Sequence, residues 1–188
     1  MGIVYVVLAE GFEEIEAVTA IDLMRRANID VRSLSITGEK QVLGSRRISL
    51  VADEVMDGTI NIEETDMIVL PGGCLGRDNM VASKELCDTL KQMEKQEKRI
   101  AAICAAPTVL GRLGLLKDVE CVCYPDEEFY DDIKERKTPN NKITTITDGL
   151  ITTSIGPATA MEFGLELIRI LKGEEIANQV SEGLLYKG

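Results

Sequence analysis

The chain has 188 residues, with 32 acidic against 21 basic side chains, a formal net charge of −11 and no histidine. That balance excludes non-specific binding to nucleic acid or to anionic lipid, both of which need a positive field. The missing histidine excludes Cys-His and Ser-His-Asp catalysis within the chain, and no apolar run is long enough to span a membrane.

In chain order, Ile3 to Ala9 is a β-rich run and Glu10-Gly11 a turn. The opening has no basic n-region, so a soluble, cytoplasmic protein is expected. Glu13 to Ala27 reads as a helix with acidic residues at its start and Arg25-Arg26 at its end, both favoured by the dipole. Asn28 is the expected C-terminal cap, and Asp30 to Ile36 a second strand. Gly38 to Ser45 is polar and turn-prone, and Arg47 to Val55 supplies a short hairpin or edge strands. Asp66 to Leu70 is a buried-strand run ending in Pro71-Gly72-Gly73, and Ser83 to Gln96 is an amphipathic helix.

Ile100 to Ile103, flanked by Lys98 and Arg99, is a further buried strand, and Pro107 falls in the first turn of the helix that follows. Glu120 to Tyr124 reads as a short strand, and Asp126 to Lys142 as a charged surface stretch. Ile143 to Thr147 and Leu150 to Ser154 flank Asp148-Gly149, a hairpin signal. Gly156-Pro157 opens a last long helix, which Gly173 ends. Strands alternating with helices predict an α/β fold, a doubly wound and mostly parallel sheet with helices on both faces, in one domain over 1–188.

Two residues carry candidate chemistry. Cys104 stands where a strand turns into a helix, inside Ala102-Ile103-Cys104-Ala105-Ala106. A nucleophile elbow needs small residues two positions to either side, and the first helical turn then turns its N–H groups toward the sulfur. A buried structural cysteine is the other reading. Glu16 shares a stripe with Phe12, Ala20, Leu23 and Ala27, so it is either desolvated with a raised pKa or at an exposed helix margin. Glu13 and Glu14 fall off that stripe and are expected to serve the helix start. The second stripe, Ile15, Val18, Ile21 and Met24, makes the helix apolar on two sides. The five cysteines, at 74, 87, 104, 121 and 123, form no disulfide framework. Cys121-x-Cys123 lacks a second ligand pair, so no metal is expected. Phosphate-binding glycine loops are absent, and no cofactor is expected.

The segments VLAEGFEEIEAV, IVLPGG, AAICAAPTVL and TSIGPATAMEFGL resemble the four signatures of the ThiJ/PfpI family, nearest its Parkinson-disease-protein branch, some bacterial members of which are labelled deglycases or thiazole-biosynthesis proteins. The resemblance implies a flavodoxin-like sandwich of the class I glutamine amidotransferase type, usually a homodimer, with Cys104 as nucleophile and Glu16 hydrogen-bonding its sulfur. It implies that the amides of Gly73 and Ala105 face the substrate oxygen, that Gly72 and Pro157 belong to the substrate-binding segments, and that Arg46 lies near the pocket and dimer contact. A histidine common in the family is Tyr124 here, a phenol whose pKa of ~10 makes it a poor base at neutral pH. The protease branch has a histidine directly after the nucleophile, where this chain has Ala105, so a peptidase is not expected.

Two functions follow from the resemblance. One is a cofactor-free enzyme on small α-oxoaldehydes or their glycated adducts, of glyoxalase or protein-deglycase type. The other is a non-enzymatic oxidative-stress sensor or chaperone-like protein that uses Cys104 oxidation. In both, Cys104 is expected as thiolate beside a protonated Glu16.

Overall fold

The computed structural model describes residues 2–58, 60–139 and 143–186. The strands β1 (Ile3–Leu8), β2 (Val31–Ser35), β5 (Glu54–Val55), β6 (Thr65–Leu70), β7 (Arg99–Ile103), β8 (Thr145–Asp148) and β9 (Ile151–Ser154) form one sheet in the order β5-β2-β1-β6-β7-β9-β8. Every neighbouring pair is parallel except β8–β9, a hairpin in which Asp148 pairs with Ile151, so that Gly149-Leu150 is the turn, one residue beyond the expected Asp148-Gly149. The strands read as unbroken apolar runs because both faces are covered. Val4, Val6, Met67, Val69, Ala101 and Ile103 pack toward helices α1 (Glu14–Arg26), α6 (Ala160–Lys172) and α7 (Glu174–Gly183). Tyr5, Val7, Ile68, Leu70, Ile100 and Ala102 pack toward α2 (Cys74–Ala82), α3 (Lys84–Lys95), α4 (Pro107–Arg112) and α5 (Glu127–Tyr130). This is the expected doubly wound α/β sandwich.

Local signals set the helix ends. Glu13 caps α1 by accepting the Glu16 N–H at 2.8 Å. Asn28 takes a positive φ of 53° and closes the other end, donating to Arg25 O while Ile29 donates to Met24 O. Ser83 caps α3, and Pro107 is its helix's first residue.

Several expectations are corrected. The turn-prone stretch Gly38 to Ser45 contains β3 (Gln41–Leu43), which pairs antiparallel with β4 (Ser49–Val51) in a separate ribbon. Glu120 to Tyr124 is not a strand of the sheet, because β9 already has β7 and β8 on its two edges. Its N–H groups go instead to Asp148 Oδ2, Lys137 O and Thr153 Oγ1. The stretch from Asp126 is not all surface: it holds α5 and buries Phe129 and Ile133. Its end, residues 140–142, lies outside the described residues. Helix α2 had no expectation, and Gly173, at φ 92°, ends α6 only to start α7, so α6 is not the last helix.

Candidate active site around Cys104

In parallel sheets the loops beyond the strands' carboxyl ends meet where the chain direction of winding reverses. Here that point lies between β1 and β6, and the adjoining loops are tied together. Glu13 N–H donates to Gly72 O at 2.9 Å, and Gly76 N–H to Gly11 O at 3.2 Å. Gly73, with φ 95°, approaches Gly11 so closely that any Cβ would strike the Gly11 carbonyl.

Cys104 directly follows β7 with φ 64°, a left-handed conformation that a non-glycine residue adopts only when its surroundings impose it. Three contacts do so. Its N–H donates to Ser154 O at 2.9 Å, and its carbonyl accepts from Tyr124 N–H at 2.9 Å and from Cys123 Sγ at 3.0 Å. Ala102 and Ala106 are fully buried, so the small-residue frame is used by the turn. The N–H groups of Ala105 and Gly73 act on the Cys104 sulfur.

Glu16 is 0% exposed. Gly72 N–H donates to its Oε2 at 2.6 Å, while Oε1 is buried with no hydrogen-bond partner among the described residues. Burial pushes this carboxyl up to about 7, with the Gly72 N–H opposing and the Glu13 charge adding. Cys104 and Glu16 face each other across Gly72: a Cβ there would lie 2.6 Å from Cys104 Cβ and 2.8 Å from Glu16 Oε2. With Glu16 ionised, burial and that charge hold the Cys104 thiol above its ordinary value, against the pull of the Ala105 and Gly73 amides. With Glu16 protonated the repulsion is gone, and the amides act on the sulfur unopposed by charge.

The structure thus gathers Cys104, Glu16, Gly72, Gly73 and Ala105. Gly72 differs from expectation, because its N–H is committed to Glu16 and is not free for substrate. Tyr124 is 43% exposed, with its ring edge-on to Phe129 at 6.4 Å. It joins the site through its backbone bond to Cys104, and its ring passes over Gly156, beside the half-buried Pro157. Arg46 is exposed on the β3–β4 loop, where its charge bears on Glu13. Glu14 stands in the first turn of α1, as expected of a residue that serves the helix start, and also reaches beyond the helix. Burial works against its ionisation, but the N–H groups of Arg46, at 2.6 Å, and Ile48 and the Ser45 hydroxyl outweigh it and hold the carboxyl low. Glu14 thereby ties the loop that carries Arg46 to α1. Ser154 and Cys123 are the contacts that reading the sequence missed. Ser154 acts through a backbone carbonyl, which no side-chain pattern can reveal, and the Cys-x-Cys pattern invites only a search for metal. Among the described residues no three His, Cys, Asp or Glu side chains are grouped to hold a metal ion.

The model of the DJ-1/PfpI family matches residues 3–170. The chain belongs to the DJ-1/PfpI family. Among curated family members it is 36% identical to the protein dj-1beta of Drosophila melanogaster, over 96% of this chain and 95% of that one. It is 34% identical to the Parkinson disease protein 7 homolog of Danio rerio, over 97% and 96%. Among solved DJ-1 structures, the oxidized Toxoplasma gondii protein superposes with a TM-score of 0.88 at 36% identity, covering 100% of both chains. Drosophila melanogaster DJ-1beta gives 0.88 at 33% identity, over 100% and 99%. The flavodoxin-like architecture is therefore shared with DJ-1 proteins along the whole chain.

Proposed function

We propose that this DJ-1/PfpI protein is a cofactor-free enzyme of glyoxalase or deglycase type, acting on small α-oxoaldehydes such as methylglyoxal or on their early adducts. The observation that carries this reading is Cys104 in a strained elbow, with two amides acting on its sulfur and a fully buried Glu16 beside it, whose carboxyl burial pushes up to about 7. The sulfur has two donors and partial exposure, whereas Glu16 has one donor and none. A single proton shared by the pair therefore belongs on Glu16, leaving thiolate.

The thiolate adds to the aldehyde carbon, forming a C–S bond and a hemithioacetal alkoxide. As charge moves from sulfur to oxygen, the Gly73 and Ala105 N–H groups follow it, and Glu16 supplies the proton. Glu16, now a carboxylate, takes the hydrogen from that carbon as a proton and delivers it to the neighbouring ketone carbon, while the new hydroxyl's proton passes to the former ketone oxygen. The result is a lactyl thioester, with one carbon oxidised and its neighbour reduced. Water then releases lactate and the thiol. Tyr124 stands at the rim, and with no histidine the chain lacks a base and leaving-group acid for peptide cleavage.

The second reading, a redox sensor with chaperone-like behaviour, draws on the relative solved in oxidized form. The same two amides and a protonated Glu16 would stabilise a Cys104 sulfinate. In either case the reading includes a cytoplasmic homodimer. Ile15 and Val18 of α1 are 56% and 44% exposed, and Val51 of β4 is 73% exposed. Val18, Ile21, Leu50 and Val51 line one groove together with Asp22, Arg25 and Asp53, a mixed surface whose apolar part a second copy would cover. Steady-state conversion of methylglyoxal to lactate decides between the readings. Turnover lost in Cys104→Ser supports the enzyme; no turnover above the Cys104→Ser background leaves the sensor.

A further inference from the structure

We propose that Cys123 is a positioning residue for Cys104: its S–H, donated to the Cys104 carbonyl, polarises the Cys104–Ala105 peptide and strengthens the Ala105 N–H that acts on the sulfur. This rests on the reading of Cys104 as a thiolate nucleophile. A peptide group is one conjugated unit, so a hydrogen bond received at its oxygen makes its N–H a better donor. The carbonyl of Cys104 and the N–H of Ala105 belong to the same peptide. That carbonyl receives Tyr124 N–H at 2.9 Å and Cys123 Sγ at 3.0 Å. The first donor is backbone and would survive any substitution; the second belongs to one side chain.

Cys123 is suited to donate because it keeps its hydrogen. It is buried, and burial pushes its thiol up to about 12, with Cys121 adding to the rise and the Tyr124 N–H, then the charges of Arg136 and Arg77, opposing it. These arrive from three directions: Cys121 and Tyr124 from the same segment, Arg136 from the stretch after α5, and Arg77 from α2. The titratable group facing Cys104 itself is Glu16, on α1. Cys123 also grips the residue whose φ of 64° makes the elbow, so its bond restrains the geometry as well as the charge. Packing alone asks only for a small apolar side chain here.

The test uses the full chain and follows Cys104 alkylation by iodoacetamide against pH, with mass spectrometry assigning the site. Cys123→Val removes the donor with a somewhat larger apolar side chain, Cys123→Ala removes it with a smaller one should valine fail to fold, and Cys123→Ser restores a donor. We expect wild type and Cys123→Ser to share a midpoint. Cys123→Val should move it upward, slowing alkylation roughly two- to fivefold below the wild-type midpoint, the effect of part of one hydrogen bond. At high pH, where every Cys104 is thiolate, the rates should coincide, whereas mere loosening of the packing would change them at every pH. An unmoved midpoint in Cys123→Val or Cys123→Ala, or an equal shift in Cys123→Ser, overturns the role of Cys123 and leaves the thiolate reading standing. A wild-type Cys104 with an ordinary thiol midpoint overturns both.

Discussion

Replacing Glu16 with glutamine in a Cys104→Ser background should stabilise the protein, and by an amount that depends on pH. Serine at 104 removes the thiol from the titration, so one member of the pair remains. Glu16 is fully buried and its carboxyl is raised from 4.5 to about 7, burial being the largest cause. The folded state thus holds the proton more tightly than the unfolded chain. Below the unfolded value both states are protonated and no penalty exists. Between pH 4.5 and about 7 the unfolded chain ionises while the folded one does not, so stability falls; above that window the loss is complete. A shift of this size amounts to about 3 kcal/mol. Glutamine keeps an oxygen for the Gly72 N–H and has no charge to bury. Urea unfolding of the two proteins, at equal concentration because a dimer's stability depends on it, should give equal values near pH 4 and a gap of ~3 kcal/mol near pH 8. In thermal melts that is roughly 6–12 °C for a domain of this size. A gap that does not change with pH, or one that grows toward acid, would refute the claim that Glu16 is a desolvated carboxyl.

Gly72→Ala should abolish turnover, because its Cβ would sit 2.6 Å from Cys104 Cβ and force the pair apart; it should also lower stability by about 1–3 kcal/mol, read by urea unfolding. Tyr124→His should raise kcat on methylglyoxal, and Tyr124→Phe should lower it; a working acid–base group contributes ~10²–10⁴-fold, so unchanged rates in both variants would make Tyr124 a packing residue. Val18→Asp combined with Val51→Lys should convert a sedimenting dimer to a monomer of about half its mass while the fold persists by circular dichroism. A wild type that sediments only as a 20.6 kDa monomer at micromolar concentration would remove the dimer from the account.

Most of the sheet was legible because its strands are short apolar runs ended by turn residues. DMIVL before Pro71 and IAAI before Cys104 cannot be mistaken for long helices, and Asp148-Gly149 announced the β8–β9 hairpin to within one residue, its turn being Gly149-Leu150. What escaped was structure decided by tertiary partners. QVL in β3 has one buried residue, Val42, and becomes a strand only because β4 lies opposite it. Glu120 to Tyr124 has β composition but finds its bonds in side chains of the β8–β9 hairpin. Glu16 could be placed on an apolar stripe, yet its burial depends on Gly72 coming from 56 residues away. Glu14 shows the reverse: a position that looks solvated on a helical wheel is buried because residues 45–48 fold over it. The elbow was readable from its alanines, while the three bonds that strain it come from Ser154, Tyr124 and Cys123, and no local pattern announces them.

The central claim is that Cys104 and Glu16 share one proton and that Glu16 holds it. Thiolate absorbance of wild type minus that of Cys104→Ser, followed across about pH 4 to 10, tests it most directly. The account predicts a Cys104 midpoint below the free-thiol value of ~8.5, with the thiolate already the main species at neutral pH. A midpoint at or above that value would mean that Glu16 carries the charge and Cys104 is a buried thiol.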